Sequence, residues 1–467
     1  MLNSANDWNT SSEVHQNNCL NIAEIYPQKP ITVFYDVTRL LARKDKPFAT
    51  GIDRVDLEYF KQHINKSSIT VKCVALVDNK IKRLDESIIK SYVDQLSQVW
   101  SGIRKSIDSS LYQQLSTKNY INSSRINRFK LKWLGNLSFD ASQFQSNPAN
   151  EVYYFNASHI GVLSLKPHLC NRFFQCLHAS VVTYVHDIIP LTHSQYSTKA
   201  AQKKLKNYLE NAINHRHTFI FNSEFTKNSF HQYFGLQDKN TRTFIQYPIL
   251  NNPAQGEIRQ FIIELSEHNY FLTVGTIEPR KNHYFLLKIW ERAIHKEVLI
   301  KPSSSYRTRS GIQTNQQVMD SCLALQGSRV LQSMHGASDD RRNDAFQGFL
   351  NKRQSFPKLV IIGKRGWNND KTFKLLDKLK AKSDSIIEIN DASDAEVQFL
   401  TSNCQVVLLP SLIEGFNIPL MDSINLNTKV IASNIDVHKE IVDRFDLNSE
   451  ALLLPFDQAV WEKGIFG

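Results

Sequence analysis

The sequence predicts an α/β protein built from two doubly wound, Rossmann-like domains that face each other across a cleft. Three observations predict it. Short, continuously apolar runs such as VVLL at 406–409 alternate with stretches of helical periodicity, as parallel strands covered on both faces require. A segment that breaks both helix and strand, Asn251-Asn252-Pro253-Ala254-Gln255-Gly256, divides the alternation into two series. A chain of 467 residues, 41% hydrophobic and 10% aromatic, fills two cores of ordinary size.

In the first series, residues 31–37 (ITVFYDV) form the opening strand, and a polar loop over 38–50 leads to Gly51-Ile52-Asp53-Arg54-Val55. Ile52, Val55 and Tyr59 then recur at helical spacing. Ligands of such sheets sit beyond the C-terminal strand ends, so this loop is a candidate ligand contact. Gly51 permits close approach, and Arg54 is placed to reach an anionic acceptor. Residues 71–77 are the second strand, and Ile88, Tyr92, Leu96 and Val99 mark a helix. The piece at 125–134 (RINRFKLKWL) is basic and amphipathic, which suits either a membrane surface or packing on the domain. Strands follow at 152–155 and 181–185, the latter delivering His186 and Asp187 to its C-terminal end. After a strand at 218–221, Asn222-Ser223 cap a helix that Gly235 stops. The first domain spans 30–250, behind a polar arm over 1–29.

The second series starts after a linker at 251–257 and spans 258–455. Residues 270–274 are a strand, and Phe285, Leu286, Ile289, Trp290 and Ala293 line one face of the helix beyond its loop. That loop reads Gly275-Thr276-Ile277-Glu278-Pro279-Arg280-Lys281-Asn282 and is expected to open the helix. A diphosphate there would meet free N–H groups and two cations together, Arg280 as a bidentate fork and Lys281 as a compact charge. Further strands lie at 359–362, followed by Gly363 and Lys364, and at 386–389. Residues 301–356, polar and basic, read as an insertion, and 456–467 as a short tail. The richest stretch is VVLLPSLIEGFNIPLMDSINLNTKVIAS at 406–433. It holds a strand, a turn with Glu414, Gly415, Phe416 and Asn417, a helix with Pro419 in its first turn, a left-handed stop at Asn427 and a second strand. Glu414 and Asp422 beside that helix N-terminus make a cradle for a nucleotide sugar, with N–H groups for phosphate and carboxylates for hydroxyls.

Composition narrows the partners. A net charge of +11 and a pI near 9.2 favour an anionic partner. No zinc-finger, RNA-recognition or homeodomain signature accompanies the charge, so nucleic acid is excluded from the reading. Six cysteines without metal-ligand spacing are expected to be reduced, and no metal site is expected. No apolar run approaches the roughly 20 residues of a membrane span, and the N-terminus lacks the basic and apolar regions of a signal peptide. The expectation is a cytoplasmic protein, with peripheral contact at the inner membrane face.

The stretch at 406–433 resembles the E-x7-E region of retaining GT-B glycosyltransferases of family 4, with Asp422 as the second acid, Asn427 in place of a glycine and Lys429 in place of a proline. GTIEPRKN at 275–282 is similar to the GTLEPRKN of that family's mannosyltransferase-like branch. VIIGKRGW at 360–367 resembles a family strand end, and Asp391-Ala392-Ser393-Asp394 resembles the loop beside the nucleotide base. TGIDRV at 50–55, with FYDVTRLL just before it, resembles bacterial polysaccharide-assembly transferases. The resemblance implies a GT-B fold and donor phosphate on Lys281, with Thr276 standing where the family has an arginine and Arg280 substituting for it. It implies that Glu414 meets the donor sugar, Asp422 the ribose, and His186 the reacting sugar, with Asp187 orienting its loop. The implied activity is metal-independent, retaining transfer of a hexose from a nucleotide sugar, GDP-mannose first, without a further cofactor. The implied acceptor is a glycan or lipid-linked oligosaccharide in surface polysaccharide synthesis. A nucleotide-sugar epimerase of the same architecture and a non-catalytic binding protein remain open. A redox Rossmann enzyme is the weakest reading, because no G-x-G-x-x-G follows a predicted strand.

Overall fold

The computed structural model describes residues 30–77, 80–111, 150–215, 217–236, 242–248, 255–300 and 356–466, with isolated positions between 22 and 26 and at 114, 144 and 146. The basic segment at 125–134, most of the arm at 1–29, linker residues 251–254 and residues 301–355 of the insertion lie outside the described residues.

The chain forms two α/β domains. β1 (Ile31–Asp36) is buried at every position, as a strand covered on both faces must be. It pairs in parallel with β2 (Ile69–Val77) and β4 (Glu151–Asn156). β3 (Lys80–Leu84), β5 (Ser180–Val185), β6 (His217–Phe221) and β7 (Arg242–Ile245) complete a sheet of order β3-β2-β1-β4-β5-β6-β7. Only the β2–β3 pair is antiparallel. The second sheet runs β10-β9-β8-β11-β12-β13. Its strands are β8 (Tyr270–Val274), β9 (Lys358–Ile362), β10 (Ile386–Ile389), β11 (Val407–Leu409), β12 (Val430–Ser433) and β13 (Ala451–Leu454). All its pairs are parallel, and counted from β8 the order is the 3-2-1-4-5-6 of a doubly wound sheet. Two apolar layers flank each sheet. This is the GT-B architecture that the sequence predicts.

Local chemistry sets the helices that matter for the site. α1 (Gly51–Asn65) starts in a capping box between Thr50 and Asp53. Asp53 is buried and meets Arg39 and Arg43, which anchors the preceding loop to the helix. α2 (Glu86–Ser101) is capped by Asp85 and closed by left-handed Gly102. α3 (Glu224–Phe234) is capped by Ser223 and stopped by Gly235, as its sequence predicts.

In the second domain, α4 (His283–Ile300) begins directly after the loop at 275–282, as expected. Residues 279–281 make a 3₁₀ turn, and Asn282 adopts a left-handed conformation before the helix starts. α5 (Asp394–Asn403) has a capping box of Ser393 and Glu396. α6 (Ile418–Asn425) carries Pro419 in its first turn, and left-handed Asn427 follows it, both as expected. α7 (Asp436–Phe445) lies between β12 and β13. Residues 458–466, read from sequence as part of a tail, form α8 (Gln458–Phe466), whose Trp461 is fully buried in the second-domain core. β3, β7 and β13 have no counterpart in the sequence reading. Among the described residues no helix is long and apolar enough to cross a membrane. Cys73, Cys170, Cys176 and Cys404 are free.

Candidate active site at the strand-order reversals

Ligands of doubly wound sheets gather where the strand order reverses. In the second sheet that point lies between β8 and β11, and the loops leaving these two strands carry Arg280, Lys281 and Glu414. Lys281 Nζ is 2.6 Å from Glu414 Oε1, and Arg280 ion-pairs with the other oxygen of the same carboxylate. Arg280 Nε also lies 2.7 Å from Glu278, and Ser411 donates to Glu414 at 2.8 Å. A backbone bond of 2.7 Å from the Leu412 N–H to the Arg280 carbonyl ties the two loops together.

Glu414 is only 4% exposed. Burial pushes its pKa up, but Arg280, Lys281 and the Lys281 and Ser411 hydrogen bonds outweigh that and hold it at about 2. With both cations in place it is a carboxylate at neutral pH. Burial raises Glu278 and Asp187, and Arg280 pulls both back down. The result is a buried cluster of two cations and three acids.

The backbone in this loop differs from the expectation of free N–H groups at a helix start. The N–H groups of Gly275, Ile277, Glu278, Lys281 and Asn282 all donate to carbonyls, because the segment is a turn and not the first turn of α4. What the loop offers an anion is therefore mainly Arg280 and Lys281. Gly275 leaves room for the Lys281 stem, whose Cε lies 3.3 Å from where a Cβ would stand. A Cβ on Gly363 would stand 1.9 Å from the Gly275 carbonyl oxygen, so the ends of β8 and β9 approach as only glycines allow. Thr276 packs beneath the loop, its methyl 3.1 Å from where a Gly366 Cβ would stand.

The first domain meets this cluster through the end of β5. A Cβ on Gly415 would fall 2.3 Å from the His186 carbonyl oxygen and 2.7 Å from the Asp187 Cβ. The Gly415 carbonyl accepts hydrogen bonds from Ser223 and, at 3.1 Å, from Thr226. His186 Nε2 donates to the Ala157 carbonyl at 2.7 Å, since a carbonyl only accepts. Burial lowers the His186 pKa to about 4, so the ring is neutral and Nδ1 carries a lone pair. Among the described residues no group hydrogen-bonds that Nδ1. Asp187 accepts from the Ile189 N–H at 3.1 Å, which orients the loop.

Glu414 precedes α6 and Asp422 lies within it, and the two acids take different cations. Arg54, from α1, reaches across to Asp422 at 3.1 Å and to Asp394 at 2.7 Å. Burial raises Asp422 to about 6 against the pull of Arg54. A Cβ on Gly51 would lie 2.9 Å from Ile418 Cδ1, and Ile418 packs against apolar clusters of both domains. Asn417 donates to His438 at 2.9 Å, and Phe416 is buried against Tyr247. Lys364 lies 4.0 Å from the Phe48 ring of the first domain.

The structure thus brings His186, Asp187, Gly275, Arg280, Lys281, Glu414 and Gly415 together, and joins Gly51 and Arg54 to the helix of Asp422. Asp391 stands apart, 67% exposed at its side chain and paired with Arg259 at 2.9 Å. Sequence reasoning missed Glu278, Asp394 and Ser411 as members of the charged networks. Glu278 was the most legible of them, a carboxylate two residues ahead of Arg280 in a loop already singled out.

A family model described as glycosyl transferases group 1 matches residues 343–462, within the second domain and α8. O-antigen chain mannosyltransferase B of Escherichia coli is 25% identical over 147 residues. The match covers 30% of this chain and 37% of that relative, so it spans little more than a third of the relative's length. Among solved structures, the α,α-trehalose-phosphate synthase (UDP-forming) of Burkholderia vietnamiensis is 11% identical with a TM-score of 0.46, covering 94% of this chain and 90% of that one. HepE of Anabaena in complex with UDP and glucose is also 11% identical with a TM-score of 0.46, covering 88% and 83%.

Proposed function

We propose that the chain is a retaining, metal-independent glycosyltransferase that moves a hexose from a nucleotide sugar, GDP-mannose first, to a glycan or lipid-linked acceptor in surface polysaccharide synthesis. The observation that carries this reading is the convergence of Arg280 and Lys281 on Glu414 at a strand-order reversal, with Asp187 of the first domain in electrostatic contact with all three. The match to group 1 glycosyl transferases and the likeness to an O-antigen mannosyltransferase support it.

In this reading the donor diphosphate displaces part of the Glu414 interaction and takes Arg280 and Lys281. These cations stabilise the negative charge that grows on the leaving diphosphate, and supply without a metal the positive charge it needs. The Glu414 carboxylate accepts hydrogen bonds from donor-sugar hydroxyls, and His186 Nδ1 accepts another. Asp422 exchanges Arg54 for the ribose hydroxyls, while Gly275, Thr276, Gly363, Lys364, Gly415, Phe416 and Asn417 shape the cradle. The acceptor hydroxyl attacks the anomeric carbon on the face from which the diphosphate departs. As the bond from that carbon to the diphosphate oxygen breaks, the new glycosidic bond forms. The departing oxygen takes the acceptor's proton, so the configuration is retained. The lipid-linked form of the acceptor would place the reaction at the inner face of a membrane.

The test is incubation of the purified chain with a panel of GDP- and UDP-sugars, with and without glycan acceptors, following nucleoside-diphosphate release and glycan product. Acceptor-dependent release with a lengthened glycan supports the proposal. A new nucleotide sugar formed without acceptor would instead identify an epimerase, and binding without any product a non-catalytic protein.

A further inference from the structure

We propose that a cavity in the first domain, apart from the cleft, binds an uncharged hexose unit of an oligosaccharide, with Asn207, Asn211 and Asn214 meeting its hydroxyls and Phe234 its apolar face. The inference goes beyond the transferase reading, and the binding does not depend on which reaction the cleft performs.

The helix Lys199–Ile213 buries Leu205, Tyr208, Leu209 and Ala212 in the first-domain core. Asn207, Glu210, Asn211 and Asn214 recur beside that face at helical spacing, and together they form one wall of a cavity of about 400 Å³. Pro167, which starts the helix Pro167–Leu177, and Phe234, which ends α3, contribute to the other walls. The volume falls within the roughly 300–1,000 Å³ of small-molecule sites. Asn214 and Phe234 lie where two helices lead into the N-terminal ends of β6 and β7, whereas His186 follows the C-terminal end of β5. The cavity is thus separate from the groups assigned to the donor.

Its amides have hydrogen-bonding capacity left over. Asn211 is 2% exposed, and its Nδ2 donates to the Leu163 and Leu165 carbonyls at 2.9 and 2.8 Å. Both amide protons are used and the side chain is fixed, so Oδ1 remains as an acceptor that no group among the described residues hydrogen-bonds. A buried acceptor in a cavity wall is satisfied by a donor that enters the cavity. Asn207 and Asn214 are exposed at the rim, and among the described residues no group hydrogen-bonds their side chains. Each brings two further donors and an acceptor.

Charge selects the ligand class. Although the chain carries a net charge of +11, no lysine or arginine lines the cavity among the described residues. Glu210 lies 3.7 Å from Lys206, with both side chains about half exposed, so this pair neutralises little. An anionic ligand would meet the Glu210 carboxylate without a cation to hold it. A ligand rich in hydroxyls instead pairs its donors and acceptors with three amides and a carboxylate. The half-buried Phe234 ring has a negative face, which suits the C–H groups of a pyranose. Gly235 follows at φ +64, and a Cβ there would meet nothing within 4 Å, so the approach beside Phe234 is open.

The experiment titrates the full chain with mannotriose, maltotriose, mannose 6-phosphate and GDP, followed by saturation-transfer NMR, for the wild type and for Asn211→Leu and Asn214→Arg. Asn211→Leu removes the fixed acceptor but also frees two carbonyls, whereas Asn214→Arg alters only an exposed rim side chain and leaves the fold intact. Each substitution is expected to weaken the preferred trisaccharide about tenfold or more and to leave GDP binding within twofold. Preference between the trisaccharides names the hexose, and either preference supports the proposal. Failure of the wild type to bind either trisaccharide overturns it, as does trisaccharide binding unchanged in Asn214→Arg, because the sugar would then sit elsewhere. Tighter binding of mannose 6-phosphate than of both trisaccharides also overturns it, since the site would not select an uncharged ligand. Failure of GDP to bind the wild type, with trisaccharide binding still lost in both variants, would count against the transferase reading alone.

Discussion

The Lys281 ammonium, carried by the loop after β8, stands 2.6 Å from the Glu414 carboxylate, carried by the loop after β11. Arg280 closes on the same carboxylate, so an incoming diphosphate competes with Glu414 for both cations. Glu414→Gln is therefore expected to tighten binding of GDP or UDP several-fold while lowering sugar transfer by about a hundredfold or more. Calorimetry and a product assay on one preparation check both halves. Weaker nucleotide binding in the variant would refute the competition.

Arg54 joins α1 to Asp394 and Asp422 of the second domain. Arg54→Ala leaves these two acids without their shared cation. Because all three side chains are partly exposed, the expected cost is about 1 kcal/mol. The interdomain contact is also expected to loosen, seen as a larger radius of gyration in small-angle scattering than for the wild-type chain. An unchanged radius would mean that the Gly51 and Gly415 contacts suffice.

Gly415→Ala drives a methyl group into the His186 carbonyl and the Asp187 Cβ. The His186 backbone is itself held by β5 and by Asn222, so the domains must shift apart. Transfer is expected to fall steeply, whereas nucleoside-diphosphate binding, which the proposed function assigns to the second domain, is expected to persist within a few-fold. The overpacking penalty on stability is about 1–3 kcal/mol. Parallel loss of nucleotide binding would contradict this division of labour.

Asp56, fully buried beside Tyr35, has its pKa raised to about 8 by burial, and its Oδ2 has no hydrogen-bond partner. The folded protein thus holds this proton far more tightly than the unfolded chain, where a carboxyl titrates near its ordinary value of about 4. The contribution of Asp56 is fully present below about pH 4 and is lost between about pH 4 and pH 8, by up to about 1.4 kcal/mol per pH unit within that window, with no further loss above it. Thermal unfolding between pH 5 and 8 checks the sign. Wild type should lose more stability over this range than Asp56→Asn.

Much of this was legible in the sequence because local signals and tertiary fold agree. Apolar strands, the Ser223 cap, the Gly235 stop, Pro419 and Asn427 all occur where the residues placed them. β3 was hidden because a charged edge strand, KIKRL, has only a weak alternation, and β7 because one exposed and three half-buried residues carry almost no pattern. The backbone of the loop ahead of α4 was misjudged because residues 279–281 form a 3₁₀ turn and the loop's N–H groups bond carbonyls, which residue types alone do not reveal. Residue types at the site were readable, but their partners were not. Nothing local pairs Arg54 with Asp422, Asp391 with Arg259, or Lys281 with Glu414, since each pair forms only when distant loops meet.

The most direct measurement is turnover of the best nucleotide sugar by Lys281→Ala beside the wild-type chain, with melting temperatures recorded for both. The account predicts that nucleoside-diphosphate release and glycan product fall by about a hundredfold or more while the fold survives, because the leaving diphosphate loses one of its two cations. Wild-type turnover in Lys281→Ala would contradict the claim that this loop carries the chemistry.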